Sequence, residues 1–394
     1  MKAFKSELDP NNIQITALRK HCGAARWAYN WGINKIKAAA DAGEKWPSGI
    51  DLHRQINAIK GTEELPWAYE VSKCAFQEPL RNLDTALKNM RKSRKGERKG
   101  TKIGFPKYKS RKKGLGSCRF SGTIKVFSGG IQLPRIGIVR LKECGYIPQG
   151  RYAQATISER AGHWFVSVIG QEPEKDQPTL TGEVVGVDVG IKTLATCSNG
   201  GTYANVRALA ATTKQLCRAQ RVLSRRVKGS KNRAKARMRV AKLHKKIADI
   251  RVDAQNKAAR DIVNQCPSVI VLEDLNINGM FKNRKLSRAL SDAAIGQFGR
   301  ILTYMAEDAG IVVAKVGRFF ASSKLCSDCG WKNDNLTLGN RRFVCHECGL
   351  AIDRDLNAAI NLKNTVSSTG INDCGDCVRP MITSATVAEA VTLS

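Results

Sequence analysis

Four cysteines late in the chain form two CxxC pairs, Cys326 with Cys329 and Cys345 with Cys348. Fifteen residues separate the pairs and a glycine follows each, which is typical of a tetrahedral zinc site with four thiolate ligands. Because four thiolates complete the zinc shell, His346 is not expected to be a ligand. The pattern predicts a structural zinc module over residues 326–348.

Acidic residues stand at three places in the same half of the chain. Asp188 lies inside the apolar run GVDVG, Glu273 and Asp274 end the run VLED, and Asp353 and Asp355 follow the second cysteine pair. A carboxylate in an apolar strand is costly to desolvate unless a cation or strong hydrogen bonds compensate it. Strand alternation sends Glu273 and Asp274 to opposite faces, so only one can share a site with Asp188. The alternative for Asp188 is a strand-end residue bonded to backbone amides.

The order of predicted elements indicates an α/β domain. Three short strands over 181–206, two helices over 214–251, a strand at 268–275, a helix near 290–307 and a strand at 310–316 precede a last helix that begins near Asp353. This is the order of an RNase H-like domain, in which carboxylates from the first strand, the fourth strand and the last helix converge. The zinc module precedes the last helix and therefore sets where its carboxylate points.

Three convergent carboxylates suit metal-dependent hydrolysis of a phosphodiester. Two Mg²⁺ ions about 4 Å apart activate the attacking water and stabilise the leaving oxygen. Mg²⁺ prefers hard oxygen ligands and keeps several waters, so a few carboxylates and the scissile phosphate suffice to bind it. Without metal the negative charges repel one another, and the pKa of one carboxyl group is expected to rise.

The first half of the chain predicts a helical segment followed by a barrel. Apolar residues at helical spacing run from Ile13 to Met90, and short strands with Gly and Pro turns run from Ser117 to about Glu172. The strands predict a small antiparallel barrel. A polar linker at 176–180 separates this barrel from the α/β domain.

A strong excess of positive charge limits the partners of the chain. Lys and Arg number 66 against 34 Asp and Glu, which gives a net charge of +32. Such a balance favours a nucleic acid over a membrane, because phosphate neutralisation releases counterions. No apolar run approaches about 20 residues, and the N-terminus lacks the apolar core of a signal peptide. We expect an intracellular protein with no membrane partner, whose 13 cysteines are metal ligands and buried thiols rather than disulfides.

Two segments hold much of this charge. Residues 91–113 contain twelve Lys or Arg and one Glu, with Phe105 and Tyr108 interleaved. The segment is either a solvated linker or, as we favour, a nucleic-acid contact whose aromatic rings stack on bases. Residues 214–251 contain fifteen Lys or Arg and one acid, which predicts a helical hairpin lying along a phosphate backbone. The candidate nucleic-acid contacts of both segments are Lys102, Lys107, Tyr108, Lys109, Arg111, Lys112, Lys113, Arg221, Arg225, Arg226, Lys228 and Arg233.

The hairpin also has an apolar side on each helix, and the turn falls at Gly229 and Ser230. The residues predicted to form these apolar faces are Leu216, Leu223 and Val227 on the first helix and Val240, Leu243, Ile247 and Ile250 on the second.

Five motifs, in this order, resemble one protein family. GVDVGIKTLAT, VLEDLNINGM, FFASSKLCSDCG, CHECG and DRDLNAAINL look like those of the TnpB-type (OrfB family) proteins of bacterial insertion sequences, relatives of the compact type V CRISPR effector nucleases. The likeness extends to GFPKYKSRKK and, more loosely, to RKHCGAARWAYNWGI, so it covers residues 1–365. It implies an RNase H-like (RuvC) nuclease domain with an inserted four-cysteine zinc ribbon, preceded by a β-barrel wedge domain that carries a helical recognition insertion.

The resemblance implies a division of the chain into seven segments. These are the first strand of the wedge domain at 1–12, a helical and basic recognition domain at 13–116, the wedge barrel and linker at 117–180, the nuclease domain at 181–325 with a basic hairpin at 207–265, the zinc ribbon at 326–348, the last nuclease segment at 349–365 and a disordered tail at 366–394. The tail contains CGDC at 374–377, and two cysteines alone cannot close a zinc shell.

Carried over motif by motif, the resemblance makes Asp188, Glu273 and Asp355 the catalytic carboxylates and the Mg²⁺ ligands. Asp353 is expected to cap the last helix instead, and Asp274 is left out. The resemblance also implies a structural Zn²⁺, two catalytic Mg²⁺ ions, a guide RNA from the transposon end and a double-stranded DNA target. We expect a monomer bound to its RNA, in the bacterial cytoplasm or nucleoid.

Three functions stay open at this stage. The first is an RNA-guided DNA endonuclease, in which guide pairing reads the sequence and the protein reads a short flanking motif. The second is a DNA transposase acting directly on transposon ends, although no end-binding helix-turn-helix is evident. The third is a nucleic-acid-binding regulator without catalysis, which the complete set of carboxylates disfavours.

Overall fold

The computed structural model describes residues 2–111, 114–171, 178–337 and 339–367, and the chain divides into two compact units between residues 174 and 175. Lys112, Lys113 and the tail from residue 368, with its CGDC segment, lie outside the described residues.

The first unit contains a closed six-stranded antiparallel barrel, as the strand pattern predicts. Its strands lie in the order β1-β4-β3-β2-β5-β6 around the barrel. The run from Gly129 to Leu141 forms two strands, because the chain turns at Pro134 and Arg135 takes a left-handed backbone conformation. The strands are β1 (Lys2–Asp9), β2 (Ser117–Phe127), β3 (Gly130–Leu133), β4 (Gly137–Leu141), β5 (Gly150–Arg160) and β6 (His163–Gly170).

Three helices are inserted between β1 and β2. They are α1 (Asn12–Asp41), α2 (Gly49–Ile59) and α3 (Cys74–Arg94), with a short 3-10 turn at Ala68–Glu70. Asn11 begins α1 through a capping box with Gln14. Side chains of the helices and of the barrel interior form one continuous core, in which Phe76 of α3 and Phe120 of β2 are fully buried.

The second unit is built on a five-stranded sheet in the order β11-β10-β7-β8-β9. β7, β10 and β11 are parallel, whereas β8 pairs antiparallel with both β7 and β9. This confirms the three predicted short strands and the two later ones. The strands are β7 (Val184–Val189), β8 (Thr193–Cys197), β9 (Thr202–Ala204), β10 (Val269–Glu273) and β11 (Val312–Val316).

The helices of this unit follow the predicted order with one correction. The helix expected near 290–307 is two helices, because Ala294 adopts a left-handed conformation between them. The buried amide of Gln255 donates to the carbonyls of Ala293 and Ala294 and so satisfies the backbone at the break. The helices are α4 (Ala208–Arg225), α5 (Lys231–Val263), α6 (Ile277–Met280), α7 (Arg284–Ala293), α8 (Ile295–Asp308) and α9 (Arg354–Ser367). A two-stranded sheet of β12 (Arg342–Val344) and β13 (Ala351–Asp353) precedes α9.

Gly186 allows α9 to lie directly against β7. A Cβ atom at this position would stand 2.0 Å from the carbonyl oxygen of Ala359 and 2.6 Å from the backbone nitrogen of Lys363. Both atoms belong to the helix backbone, so no rotamer change could relieve the clash. A glycine two residues before Asp188 therefore sets the distance between the helix and the strand.

We expect Gly186→Ala to destabilise the protein by about 3 kcal/mol or more, because overpacking against backbone forces α9 outward. Thermal unfolding measures this, with Gly299→Ala as the matched control. A Cβ atom at Gly299, inside α8, would meet nothing within 4 Å, so that variant should keep or raise the melting temperature. An unchanged melting temperature in Gly186→Ala would contradict the close approach of α9.

Candidate active site

Asp188 and Glu273 lie at the same end of two adjacent parallel strands. β7 and β10 are in register up to the pair of Val187 and Leu272, so the two acidic residues follow one position later on each strand. Neighbouring strands lie about 4.8 Å apart, and side chains at paired positions point to the same face. The sheet thereby brings these two carboxylates together.

The third predicted carboxylate, Asp355, lies in the first turn of α9. Residues four apart share a helix face, so Asp355 lies one turn before Ala359 on the side that contacts β7. The step from Gly186 to Asp188 spans about 6.6 Å of strand, and the step from Ala359 back to Asp355 spans about 6 Å of helix. These matching steps bring Asp355 to Asp188, and the charge of Asp355 accordingly acts on the Asp188 carboxyl group.

Asp353 caps α9, as expected. Its Oδ1 accepts hydrogen bonds from the amides of Asp355 at 2.9 Å and Leu356 at 3.1 Å. Arg354, which the sequence pattern did not single out, is largely buried, and its Nη2 lies 3.1 Å from Asp355 Oδ1. The feature of the sequence that could have indicated this ion pair is the position of the arginine between two aspartates.

The electrostatics of Asp188 confirm the expected repulsion among the acids. Burial, followed by the negative charges of Glu273 and Asp355, raises the pKa of Asp188 from 3.8 to about 7. The positive charge of Arg354 opposes this rise without cancelling it. The carboxylates of the site therefore carry more negative charge than the positive charge of Arg354 offsets.

Ser322 is a member of the site that the sequence pattern did not predict. Its hydroxyl donates to Glu273 Oε1, and only 5 % of the residue is exposed. The sequence contains only a weak indication of this role, a serine pair separated by two residues from the first cysteine motif. Asp274 instead pairs with Arg318 at 3.0 Å, and more than half of its side chain is exposed. Glu273, and not Asp274, therefore shares the surroundings of Asp188.

The four predicted cysteines gather in one cluster. Cys326 Sγ lies 3.6 Å from Cys348 Sγ, Cys329 Sγ lies 3.4 Å from Cys345 Sγ, and all four sulfurs lie within 4.8 Å of one another. A tetrahedral zinc with Zn–S bonds of about 2.3 Å separates its sulfurs by about 3.8 Å, so the cluster fits a zinc ribbon. The ring of His346 packs edge-on against Trp331 at 5.4 Å and is not part of the cluster, as expected.

Two asparagines of α9 fasten the helix to the segment that carries the first cysteine pair. Asn357 donates to the carbonyl of Leu325 at 2.6 Å and accepts from the amide of Ser327 at 3.0 Å. Asn361 donates to the carbonyls of Ser322 and Leu325, both at 2.7 Å. Both asparagines are buried, so the cysteine segment and the helix of Asp355 hold each other in place.

The carboxylates are less tightly gathered than the cysteines. Within the described part of the chain, the cysteine cluster is the one group of three or more candidate ligands whose donor atoms all lie within 4.8 Å. The carboxylates of Asp188, Glu273 and Asp355 still supply the hard oxygen atoms that Mg²⁺ prefers. The raised pKa of Asp188 marks negative charge that a bound cation would offset. The donor set therefore fits a divalent cation of this kind.

The basic segment 91–113 is partly built into the first unit. Phe105 packs against the core and lies edge-on to Trp46 at 6.1 Å, so the expectation that its ring stacks on bases is wrong. Tyr108 remains about half exposed, although its hydroxyl donates to Asn34 Oδ1 at 2.6 Å. Packing thus holds the segment against α1.

The cations of this segment differ in their surroundings. The Lys109 Nζ lies 4.1 Å from the ring centre of Tyr29, and Asn30 bonds the backbone of Lys109 at both its amide and its carbonyl. The predicted contacts that are exposed here are Lys102, Lys107, Tyr108, Lys109 and Arg111.

The basic hairpin forms as predicted, although α5 runs on to Val263. Its small core contains Leu216 and Ile247, whereas Val227 and Ile250 are exposed, which corrects their expected place on the apolar faces. Val227 lies beyond the end of α4, in the turn.

Arg233 has a structural task in the hairpin turn. Its Nη1 donates to the carbonyls of Leu223 at 2.8 Å and Arg226 at 2.7 Å, where α4 leaves its last carbonyls unpaired. The predicted contacts that remain exposed on the hairpin are Arg221, Arg225, Arg226 and Lys228.

None of the helices that the structure describes is both long and apolar enough to cross a bilayer.

Three family models match the chain. One described as "Probable transposase" matches residues 166–284, one described as "Cas12f1-like, TNB domain" matches residues 296–362, and one described as "Helix-turn-helix domain" matches residues 1–45. Over residues 2–45 the structure has one strand, β1, and one helix, α1, rather than a pair of helices.

Relatives match nearly the whole chain. A "Putative RNA-guided DNA endonuclease" of Streptomyces pristinaespiralis is 34% identical over 384 residues, covering 96% of this chain and 92% of the relative. The "Putative RNA-guided DNA endonuclease InsQ" of Escherichia coli K12 is 26% identical, covering 96% and 95%.

A solved Cas12f1–sgRNA–target DNA complex is similar in fold, with a TM-score of 0.51 at 16% identity over 89% of this chain and 82% of that one. With the family models and the full-length relatives, these likenesses show that the chain belongs to the TnpB-type (OrfB) family, related to the compact type V effectors.

Proposed function

We propose that this protein is an RNA-guided DNA endonuclease of an insertion sequence, which hydrolyses double-stranded DNA at a guide-matched site beside a short flanking motif. The observation that carries the proposal is the grouping of Asp188, Glu273 and Asp355 at the end of one sheet under α9. The names of the full-length relatives support a guide RNA and a DNA target.

The strand order of the second unit supports an RNase H-like, RuvC-type nuclease domain formed by 181–325 and 349–365 around a zinc ribbon at 326–348. In the first unit, the barrel formed by β1 to β6 is the proposed wedge domain. Residues 13–116, which hold α1 to α3 and the first basic segment, are the proposed recognition insertion. We propose that the active particle is one protein chain with one guide RNA.

Asp188, Glu273 and Asp355 would hold two Mg²⁺ ions, which when bound supply an activated water and stabilise the leaving oxygen. The hydroxyl of Ser322 orients the Glu273 carboxylate, and the cap made by Asp353 fixes the turn that carries Asp355. Arg354 offsets part of the negative charge beside Asp355. The chain thereby orients its oxygen donors through contacts that do not depend on the substrate.

The cysteine cluster has a structural role in this proposal. A zinc ion bound by the four thiolates would fix the segment that precedes α9. The hydrogen bonds of Asn357 and Asn361 to Leu325 would in turn hold α9 in place against that segment. The cluster and the carboxylates are then two metal sites with different tasks.

The exposed cations of the two basic segments are the proposed contacts to RNA and DNA phosphates. In the first segment these are Lys102, Lys107, Lys109 and Arg111, with the exposed ring of Tyr108 beside them. The proposal extends to Lys112 and Lys113. In the hairpin they are Arg221, Arg225, Arg226 and Lys228, whereas Arg233 shapes the turn.

Replacing Arg221, Arg225, Arg226 and Lys228 with glutamine is expected to weaken nucleic-acid binding regardless of sequence. The slope of log affinity against log salt should fall by roughly 0.7 to 0.9 for each phosphate that the variant no longer neutralises. Lys257→Gln on α5 is the control, since Lys257 already pairs with Asp253 at 2.8 Å. Equal salt slopes in the quadruple variant and the wild type would argue against the hairpin as a phosphate-binding surface.

Sequencing the RNA that copurifies with the protein distinguishes an RNA-guided nuclease from a transposase that acts directly on transposon ends. An RNA-guided nuclease should retain one defined RNA, ending in a variable segment that matches its DNA target. A transposase that acts directly on transposon ends, which the description of one family model favours, should be as active after ribonuclease treatment as before.

A further inference from the structure

The loop between β11 and the first cysteine pair presents an aromatic ring to solvent. Phe319 is 95 % exposed, more than any other large apolar residue in the part of the chain that the structure describes. Its neighbour Phe320 packs against the core beneath the sheet. Since one ring of the FF pair is packed and the other is presented outward, the Phe319 ring contributes little buried apolar surface to the fold.

Both ends of this loop contact Glu273. Val316 pairs with Glu273 across the β10–β11 ladder, and the hydroxyl of Ser322 donates to the Glu273 carboxylate. The chain turns between them, with the amide of Phe320 donating to the carbonyl of Gly317 at 3.0 Å. Phe319 is three residues from each contact, so its Cα lies within about 10 Å of the Cα atoms of Val316 and Ser322. The loop that carries the exposed ring is therefore anchored at both ends to Glu273, one of the proposed catalytic carboxylates.

The chemistry of this position fits a nucleobase. A phenyl ring beside a phosphodiester-cleaving site, on a chain of net charge +32, meets a polyanion whose phosphates carry aromatic bases. In a duplex the faces of the bases are stacked on one another, so a protein ring stacks at least cost on a base that is unpaired or has left the helix.

We propose that Phe319 stacks on a base beside the scissile phosphate. This inference rests on the proposed nuclease function. It makes Phe319 a residue that positions the substrate strand at the cleavage site.

The test measures binding before cleavage. A single-stranded DNA oligonucleotide containing 2-aminopurine is titrated with the purified protein and its RNA, without added Mg²⁺. Stacking on Phe319 should quench the fluorescence, and Phe319→Ala should lose the quench and bind roughly 5- to 100-fold more weakly. Phe319→Trp should retain both effects, whereas Phe319→Leu, which is apolar but cannot stack, should not. Phe281→Ala removes another exposed phenylalanine of the same unit and should match the wild type.

Cleavage assays with Mg²⁺ distinguish a failure of the stacking inference from a failure of the proposed nuclease function. We expect Phe319→Ala to cut single-stranded DNA more slowly than the wild type by a similar factor. If the wild type cuts DNA but Phe319→Ala binds, quenches and cuts equally well, the stacking inference is overturned and the nuclease function stands. If the wild type never cuts DNA while the quench still depends on Phe319, the nuclease function fails instead. Self-association that dilution reverses and Phe319→Ala abolishes would make the ring a protein contact and overturn the inference.

Discussion

Alanine in place of Asp188, Glu273 or Asp355 is expected to abolish DNA cleavage while RNA binding stays nearly intact. Each substitution removes oxygen ligands that stabilise charge in the transition state, which corresponds to a rate loss of about a thousandfold or more. None of the three lies in the basic segments, so the cations proposed to bind phosphate stay in place. Single-turnover cleavage of a guide-matched plasmid measures the first effect, and filter binding of the RNA measures the second.

Asp274→Ala is the matched control for Glu273→Ala. The two acids are adjacent in sequence, but Asp274 is exposed and pairs with Arg318, so its loss should leave the cleavage rate within a few fold of the wild type. Substantial Mg²⁺-dependent cleavage by any one of the three alanine variants would contradict the assignment of the carboxylates.

Asp188→Asn should also raise the stability of the protein when Mg²⁺ is withheld. The pKa of Asp188 is about 7 in the folded chain against 3.8 as its ordinary value, so the folded state binds the proton more tightly than the unfolded state does. The ionised carboxylate therefore destabilises the fold increasingly as pH rises from about 4 to 7, and fully above 7. The melting temperature of Asp188→Asn should exceed that of the wild type at pH 8, and the difference should shrink toward pH 5.

Cys345→Ser is expected to remove the bound zinc and loosen the region from residue 326 to the end of α9. Zinc binding at a four-thiolate site is also folding free energy, so the loss should be large enough to make this region sensitive to protease. Zinc content should fall from one ion per chain toward none. DNA cleavage should fall with it, because Asn357 and Asn361 connect the cysteine segment to the helix of Asp355.

Cys217→Ser controls for the loss of a thiol, since Cys217 is exposed on α4 and outside the cluster. It should keep its zinc and its protease resistance. A Cys345→Ser protein that retained one zinc per chain and the full protease resistance of the wild type would show that the cluster is not a structural metal site.

The features that could be predicted from sequence are those set by local pattern. The alternation of apolar residues indicated the barrel, and the apolar runs ending in acids indicated β7 and β10. The cysteine spacing indicated the cluster. The capping role of Asp353 also follows from local pattern, because an aspartate is favoured at a helix start. The assignment of Asp355 to the site came from the family resemblance instead.

The features that could not be predicted depend on which surfaces meet. Phe105 lies in a basic run that resembles a base-stacking segment, yet the presence of Trp46 beside it makes its ring part of the core. Arg233 is one cation among fifteen in its segment, and only the turn geometry shows that it bonds carbonyls. Ser322 is far from Glu273 in sequence, so nothing local marks their contact. The break at Ala294 depends on the distant amide of Gln255.

Programmed cleavage tests the central claim most directly. The purified protein, freed of its own RNA, is supplied with guides that differ only in their variable end and is offered plasmids that carry one target or the other beside the same flanking sequence. Cutting should require Mg²⁺ and should follow the guide, so that exchanging the variable end exchanges the plasmid that is cut. Cleavage of the same plasmid at the same rate with either guide, or with none, would contradict the guided reaction and would favour direct action on transposon ends.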